Sequence, residues 1–144
     1  MLFLAGIFVC LFVASATVAG GAEISLSAQV TEPFEVNGKV YPAGMLHVRS
    51  VRDYTPSQSI NELWHEGDAL GYLLARKGAE GSYPVRHDTM LFTRSNQGHL
   101  ILAGYVLVGQ GSNELFRYQD RNGKGQWTLP HPTEESVFIA ASLR

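Results

Sequence analysis

Hydrophobic and polar residues alternate along much of the chain from Ile24 onwards. Between Ile24 and Thr31, apolar residues occupy every second position and polar residues fill the positions between them. A period of two places successive side chains on opposite faces of a β-strand, so this pattern predicts a strand with one buried face. The same period returns from Met45 to Arg52, where we expect a further strand.

A tight turn is predicted between two short apolar runs. Asn37-Gly38 separates Phe34 to Val36 from Lys39 to Tyr41. Asparagine and glycine tolerate the two positive φ angles of a type I′ turn. Their position between two short apolar runs therefore predicts a β-hairpin. Pro42-Ala43-Gly44 then predicts a second turn.

The segment from residue 59 to residue 77 allows two interpretations. Ser59 and Glu62 have the spacing of a helix capping box, and apolar residues follow at helical intervals. Two glycines would interrupt such a helix, and we therefore favour two strands. These strands are predicted at Ile60 to His65 and Ala69 to Arg76, joined through Glu66-Gly67-Asp68.

The remaining chain continues as short apolar runs between polar connections. About seven to nine short strands at spacings of about 8–12 residues predict an all-β fold, either a single antiparallel β-sandwich or a small β-barrel. Loops are predicted at Tyr54 to Gln58, Gly78 to Pro84 and Asp120 to Gln126. Further strands are predicted at Thr89 to Arg94, His99 to Val108, Glu114 to Gln119 and Ser136 to Leu143.

The first 22 residues differ from the rest because none of the 11 Lys+Arg or 13 Asp+Glu precedes Glu23. An apolar run followed by small residues up to Ala22 is typical of an export signal peptide. We favour cleavage after Ala22, and a second possible site follows Ala14-Ser15-Ala16. No basic residue precedes the run, and about 20 apolar residues can also span a bilayer, so a retained anchor is the alternative. The predicted division is a segment 1–22 and one domain 23–144.

Composition excludes several classes of function. The net charge is −2 and the basic residues are dispersed, which gives no basic face for nucleic acid. The only cysteine, Cys10, lies in the export segment, so the mature chain would have no disulfide, thiol nucleophile or Cys-based metal site. The serine-hydrolase motif G-x-S-x-G and a complete phosphate-binding glycine motif are both missing from the sequence. We expect no cofactor.

Histidine and acidic residues provide the first metal-site candidates. Five histidines occur, but no pair has the i, i+4 spacing of a zinc-hydrolase helix. His65 with Asp68, which follows three residues later, is one candidate pair. Surface or turn histidines are the preferred interpretation.

A second candidate is a calcium loop that begins at Asp120 and Asn122. Its first half resembles an EF-hand, with oxygen donors at positions 1 and 3 and a glycine at position 6. Lys124 and His131 stand where carboxylate ligands belong, so a glycine-rich surface turn is preferred. No metal site is predicted.

The six tyrosines and two tryptophans of the chain all follow residue 22. They could build a binding surface if several were exposed, whereas core packing or cross-strand pairing is the commoner role of such residues. They are Trp64, Trp127, Tyr41, Tyr54, Tyr72, Tyr83, Tyr105 and Tyr118.

The run from Pro33 to Gly44 resembles the pattern PF-x-V-x-G-K-x-L-P-A-G-x-Y-x-V of a family of small exported bacterial β-proteins. Later parts of the family's pattern resemble three further segments of this chain, which are Met90 to Arg94, Leu100 to Leu102 and Asn113 to Leu115. Tyr41 and Leu46 depart from the family's usual leucine and tyrosine. The family has no assigned function or catalytic residues, so the resemblance implies export and an all-β fold and transfers no site.

Three functional hypotheses follow. The leading one is a non-enzymatic, exported binding or structural domain of the periplasm or cell envelope, with another envelope or membrane protein as its partner. The second is an accessory subunit of a membrane complex, which would contact the membrane only through a retained segment 1–22. The third is a metal-dependent hydrolase that uses histidines with Glu66, Asp68 or Asp88.

Overall fold

A computed structural model describes the backbone of residues 24–121, 124–128 and 136–143 and the side chains of residues 24–116 and 136–143. The described residues form strands and turns, and none of them forms a helix that could cross a membrane. The predicted export segment 1–22, with Cys10, lies outside the described residues, as do Asn122 and His131. The all-β class predicted from the sequence is confirmed.

Eleven strands form one mixed sheet, and two more pair with each other in a separate hairpin. The described strands therefore outnumber the seven to nine that we expected. They are β1 (Ser25–Val30), β2 (Phe34–Val36), β3 (Lys39–Tyr41), β4 (Gly44–Thr55), β5 (Gln58–His65), β6 (Asp68–Gly78), β7 (Thr89–Arg94), β8 (Leu100–Leu107), β9 (Gly111–Leu115), β10 (Arg117–Arg121), β11 (Lys124–Thr128), β12 (Ser136–Ala140) and β13 (Ser142–Leu143).

The large sheet has the order β12-β7-β8-β9-β6-β5-β4-β1-β13. The β2–β3 hairpin joins it through β2, which runs parallel to β8 with Phe34 opposite Leu100. This parallel pair corrects the expectation of a purely antiparallel fold; residues 37–99 separate the two strands, so no local pattern announces it. The two end strands of the order, β12 and β13, are separated in sequence only by Ala141.

Two predicted tight turns are confirmed. Asn37 and Gly38 have φ angles of 50° and 85°, as a type I′ turn requires. Glu66 and Gly67 have nearly the same pair, 49° and 85°, and join β5 to β6. Two antiparallel strands therefore replace the helix considered for this segment.

The loop predicted at Tyr54 to Gln58 is wrong. Strand β4 continues to Thr55 and β5 begins at Gln58, so only Pro56 and Ser57 form the turn. The β4–β5 register shifts between Ser50 and Arg52 and again before Thr55. These irregularities, together with the exposure of this end of the hairpin, remove the regular alternation by which a strand is recognised.

The C-terminal predictions need a second correction. The single strand expected at Glu114 to Gln119 is two strands, because β9 ends at Leu115 and β10 begins at Arg117. The loop expected at Asp120 to Gln126 is largely the β10–β11 hairpin, where Asp120 pairs with Gly125. Polar residues and glycine predominate in the sequence from Arg117 to Thr128, so hydrophobic alternation does not reveal this pair.

The main core lies between the inward faces of the sheet and includes the β2–β3 hairpin. Its largest fully buried side chains are Tyr105, Phe34, Phe92, Leu26, Leu46, Leu63, Met90, Leu100, Leu107 and Leu115. A smaller cluster of Leu91, Ala103 and Val106 on the other face packs against Tyr83 and Val85 of the connection between β6 and β7.

Tyr83 attaches the connection between β6 and β7 to the ion pair of Arg76 and Glu114. Its hydroxyl donates a hydrogen bond of 3.0 Å to Glu114 Oε1, and Arg76 binds the other carboxylate oxygen of Glu114. Burial and the neighbouring Glu114 carboxylate raise the pKa of Tyr83 to about 12. The tyrosine therefore stays protonated as a donor throughout the physiological range.

Candidate ligand-binding site

A chain of hydrogen-bonded polar side chains lies inside the fold where the apolar core ends. The Tyr105 hydroxyl donates to Asn61 Oδ1 over 2.7 Å, and the Asn61 amide donates to Ser59 Oγ over 3.1 Å. The Ser59 hydroxyl in turn donates to Asn113 Oδ1 over 3.4 Å. Asn61, Ser59 and Tyr105 are all buried. Removing such groups from water is costly, so their placement calls for a reason beyond packing.

Two of these side chains, Tyr105 and Asn113, line a cavity of about 600 Å³, and Asn61 and Ser59 are hydrogen-bonded to them. We call it the polar cavity. Its apolar part is formed by Ile24, Val51, Leu107 and the ring of Tyr105. Its polar part is formed by Ser50, Arg52, Asp53, Lys77, Gln110, Ser112 and Asn113. The volume lies within the range of about 300–1,000 Å³ that is typical of small-molecule sites.

The topology explains why these residues meet. The cavity lies where β1 begins, β4 approaches its turn, β6 and β8 end and β9 begins. The register shift that leaves Val51 unpaired bends β4 at this point. Gly111 allows the start of β9 to pass close to Gly78, because a methyl group there would overlap the Gly78 carbonyl oxygen.

The charged side chains that meet at the cavity form an ion pair. Lys77 Nζ lies 2.6 Å from Asp53 Oδ1. Arg52, the neighbour of Asp53 on β4, is exposed and pairs in register with Ile60. Burial, and secondarily the Asp53 charge, raise the pKa of Tyr105 above its usual value, so this phenol remains neutral.

Ser112 lines the cavity, but its hydroxyl group does not face it. Ser112 Oγ is buried against Gly78 of the neighbouring strand, and Ser112 pairs with Val106 of the cluster on the other face of the sheet. Successive residues of a strand point to opposite faces, so Asn113 and not Ser112 directs its side chain to the cavity.

Replacing Tyr105 with phenylalanine is expected to lower the free energy of unfolding by about 1.5 kcal/mol, since Asn61 Oδ1 would lose its donor inside the protein. Urea unfolding measures the change. Tyr54→Phe is the matched control, because Tyr54 is 63% exposed and should change stability by less than about 0.5 kcal/mol. Equal effects of the two variants would contradict a structural role for the buried hydrogen bond.

The sequence-based metal candidates do not form a site in the described structure. His65 is buried between Phe34 and Tyr41, with ring centroids 5.2 and 5.7 Å away. Asp68 is exposed across the turn from it, and no group of three histidine, cysteine or acidic residues that could hold a metal occurs among the described residues. The His65 side chain therefore contributes to the packing of the core.

The calcium-loop candidate falls partly outside the described residues. Asp120 belongs to strand β10 and pairs with Gly125 of β11, so antiparallel strands stand where an EF-hand would have helices. Asn122 is not described. His131, which stands at the twelfth position where such a loop requires a glutamate, is not described either.

A serine–histidine contact on β1 and β4 escaped the sequence motifs. His47 Nε2 lies 2.8 Å from Ser25 Oγ, and His47 Nδ1 lies 2.6 Å from Ser27 Oγ. The signal that could have found it is the alternation, because Ser25, Ser27 and His47 all stand at polar positions of predicted strands. Each ring nitrogen of His47 faces a serine hydroxyl, and β1 is paired at Leu26 with both β4 and β13. This contact does not provide the backbone donors that acyl transfer uses.

The aromatic residues divide between core and surface. Tyr105 is buried, whereas Tyr54 and Tyr72 are each 63% exposed. Tyr72 and Trp64 flank the Glu62 carboxylate. Burial disfavours its charged form, but hydrogen bonds from Arg49, Trp64 and Tyr72 outweigh this and lower the pKa of Glu62. The side chains of Tyr118 and Trp127 lie outside the described residues.

Comparisons with protein-family models, curated proteins and solved structures find no match to this chain. The resemblance of Pro33 to Gly44 to the family of exported β-proteins stays a prediction. The hairpin that carries this resemblance is present as β2 and β3. The polar cavity is therefore the feature of this chain that indicates a function.

Proposed function

We propose that this protein is an exported β-domain of the cell envelope that binds a small molecule in the polar cavity and catalyses no reaction. The observation that carries the proposal is the chain of hydrogen-bonded polar side chains beside the cavity, which reaches the cavity lining at Tyr105 and Asn113. An apolar filling would stabilise the fold at least as well, so binding explains why these groups are there.

Export is supported by the sequence of the first 22 residues, which combine an apolar run with small residues near Ala22. Under this proposal the segment is removed and the domain functions outside the cytoplasm. The second hypothesis keeps the segment as an anchor and makes the domain an accessory subunit. The two differ in the mass of the protein that cells accumulate.

We also propose that the large sheet closes into a small barrel rather than forming a sandwich. Strand β12 pairs with β7 at one end of the strand order, and β13 pairs with β1 at the other end. One short bend at Ala141 would then close the sheet, and closure removes exposed strand edges. The polar cavity would lie at one mouth of this barrel.

The test is recovery of the protein from the cell envelope of its host after expression of the full chain. We expect an intact mass that begins at Glu23. We also expect denaturation to release a small molecule at near-equal molar amount, identified by mass spectrometry. Ser50→Phe, which fills the polar cavity, should abolish this release, whereas Ser57→Phe at the exposed turn should retain it.

Circular dichroism and thermal melting establish that both variants are folded. The absence of a released molecule from the unmodified protein would overturn the binding proposal. A mass that begins at Met1, together with a stoichiometric membrane protein, would replace it with the accessory-subunit hypothesis. Release that is equal from the two variants would show that binding occurs elsewhere.

A further inference from the structure

We infer that the ligand of the polar cavity is an uncharged molecule with hydroxyl groups on neighbouring carbon atoms, as in a carbohydrate or a polyol. This inference rests on the proposed function and specifies its ligand class. The juxtaposition that carries it is the ion pair of Lys77 and Asp53 together with two neutral polar residues, Ser50 and Asn113, in the lining of one cavity.

The strand register places the polar residues of β4 on the interior face of the sheet. Ser50 pairs with Asn61, and Asp53 pairs with Ser59. Directly opposed residues of an antiparallel pair share a face of the sheet. Asn61 and Ser59 are both buried, so Ser50 and Asp53 lie on the face that borders the cavity.

Lys77 and Tyr105 lie on this same face. Both residues pair with Asn113 of β9, Lys77 from β6 and Tyr105 from β8. The hydrogen bond from Ser59 to Asn113 Oδ1 connects this group to β5. Polar side chains from both sides of the cavity are therefore directed into it.

Among the residues that the structure describes, the side chains that face the cavity carry no net charge. Lys77 Nζ and Asp53 Oδ1 lie 2.6 Å apart and neutralise each other. An ionic ligand would find no unpaired opposite charge there, and removing an unpaired charge from water is costly. A zwitterion would have to separate Lys77 from Asp53 before it gained two new contacts. The cavity therefore favours an uncharged ligand.

An apolar ligand does not fit the lining either. Asn113 accepts from Ser59 through its Oδ1, and no described residue accepts a hydrogen bond from its amide nitrogen. The half-buried hydroxyl group of Ser50 likewise has no hydrogen-bond partner in the described part of the chain. An apolar ligand would take water from both groups without replacing the lost hydrogen bonds, which is unfavourable. The ligand therefore needs hydrogen-bonding groups of its own.

Two neighbouring hydroxyl groups match the ion pair. A carboxylate only accepts hydrogen bonds, an ammonium group only donates them, and a hydroxyl group does both. One hydroxyl group can therefore donate to Asp53 while the next accepts from Lys77, and the ion pair stays intact. Hydrogen bonds to charged groups are stronger than those between neutral groups. The carbon-bound hydrogens of such a ligand can pack against Ile24 and Leu107 in the apolar part of the lining.

The probes are cis-1,2-cyclohexanediol, the vicinal diol, and cis-1,4-cyclohexanediol, the distant diol, which differ only in the spacing of their hydroxyl groups. Each is titrated into ¹⁵N-labelled protein produced from the full chain and freed of any bound molecule by denaturation and refolding. We expect the vicinal diol to shift the amide resonances of Ser50 and Asn113 and to bind about tenfold more tightly than the distant diol. This ratio corresponds to one additional hydrogen bond to a charged group.

Asp53→Asn should remove the preference for the vicinal diol, because the amide offers only one acceptor oxygen and no longer balances the charge of Lys77. The two diols are then expected to bind equally. Asp68→Asn is the matched control: it makes the same substitution at an exposed position outside the cavity and should keep the tenfold preference. A loss of stability alone does not change the ratio of two affinities, and thermal melting verifies that the variants fold.

The outcomes separate the inference from the proposed function. Equal binding of the two diols to the unmodified protein, binding of neither diol, or a preference that survives Asp53→Asn would overturn the inference. Tighter binding of glycine than of the vicinal diol would overturn it in favour of a zwitterion. None of these results excludes binding of another molecule in the cavity.

The molecule released from the protein recovered from the envelope provides an independent check of the ligand class. We expect it to be uncharged at neutral pH and to consume periodate, which cleaves the bond between neighbouring hydroxyl-bearing carbons. A charged molecule, or one that resists periodate, would overturn the inference and leave the proposed function intact. The proposed function falls as well only if no small molecule is released.

Discussion

Replacing Gly104 with alanine is expected to lower the free energy of unfolding by about 3 kcal/mol, at the upper end of the cost of overpacking. Gly104 lies in the middle of β8 and pairs with Leu91 on one side and Glu114 on the other. A methyl group at this position would overlap the carbonyl oxygen of Asn113. That oxygen belongs to the backbone of β9, so only a shift of the strand could relieve the overlap.

Urea unfolding of the two proteins measures this change. Gly98→Ala is the matched control, because Gly98 also has a positive φ, 87°, but a methyl group there meets open space. The control should lose only the cost of the left-handed backbone, about 1 kcal/mol. Similar losses in the two variants would contradict the close approach of β8 and β9.

The parts of the fold that the sequence predicts correctly are those with local signals. The Asn37-Gly38 turn needs two positive φ angles, and two adjacent residues that tolerate them are visible in the sequence. The strand from Thr89 to Arg94 was predicted with the bounds that the structure has. In both cases the determining interaction lies within a few residues.

The parts that the sequence does not predict depend on distant partners. The parallel pairing of β2 with β8 joins Phe34 to Leu100, and nothing near either residue indicates it. The sequence of the β10–β11 hairpin is mostly polar residues and glycine, so the alternation that identifies a strand is missing there. Irregular pairing of β4 near Arg52 likewise hides the end of a long strand within a polar stretch.

The same distinction applies to the candidate site. Tyr105 lies in the run from Leu100 to Val108, the most hydrophobic one after residue 22, which predicts burial, and it is buried. Its hydrogen bond to Asn61 joins residues 44 positions apart and brings a polar network into the interior. The metal candidates His65 and Asp120, for which other roles were preferred, rest on close spacing in sequence. The polar cavity is assembled from four strands, Ile24 and Gln110, so its residues have no common spacing.

The β2–β3 hairpin is small but contributes a large side chain to the core. Phe34 is fully buried, although it lies on a strand of only three residues. Its ring stacks with Tyr41 at 5.9 Å and meets His65 edge-on at 5.2 Å and Phe92 at 6.3 Å. These partners belong to β3, β5 and β7, so one side chain connects the hairpin to both halves of the sheet order.

Replacing Phe34 with alanine is therefore expected to lower the free energy of unfolding by about 4 kcal/mol, as is usual for a buried phenylalanine that leaves a cavity. Urea unfolding followed by circular dichroism measures the loss. Val40→Ala on the same hairpin is the control, because Val40 is 52% exposed and should cost less than about 0.5 kcal/mol. A loss below about 1 kcal/mol for Phe34→Ala would mean that the hairpin can leave the core while the large sheet stays folded, whereas a full loss in a single transition places β2 and β3 within the same cooperative unit.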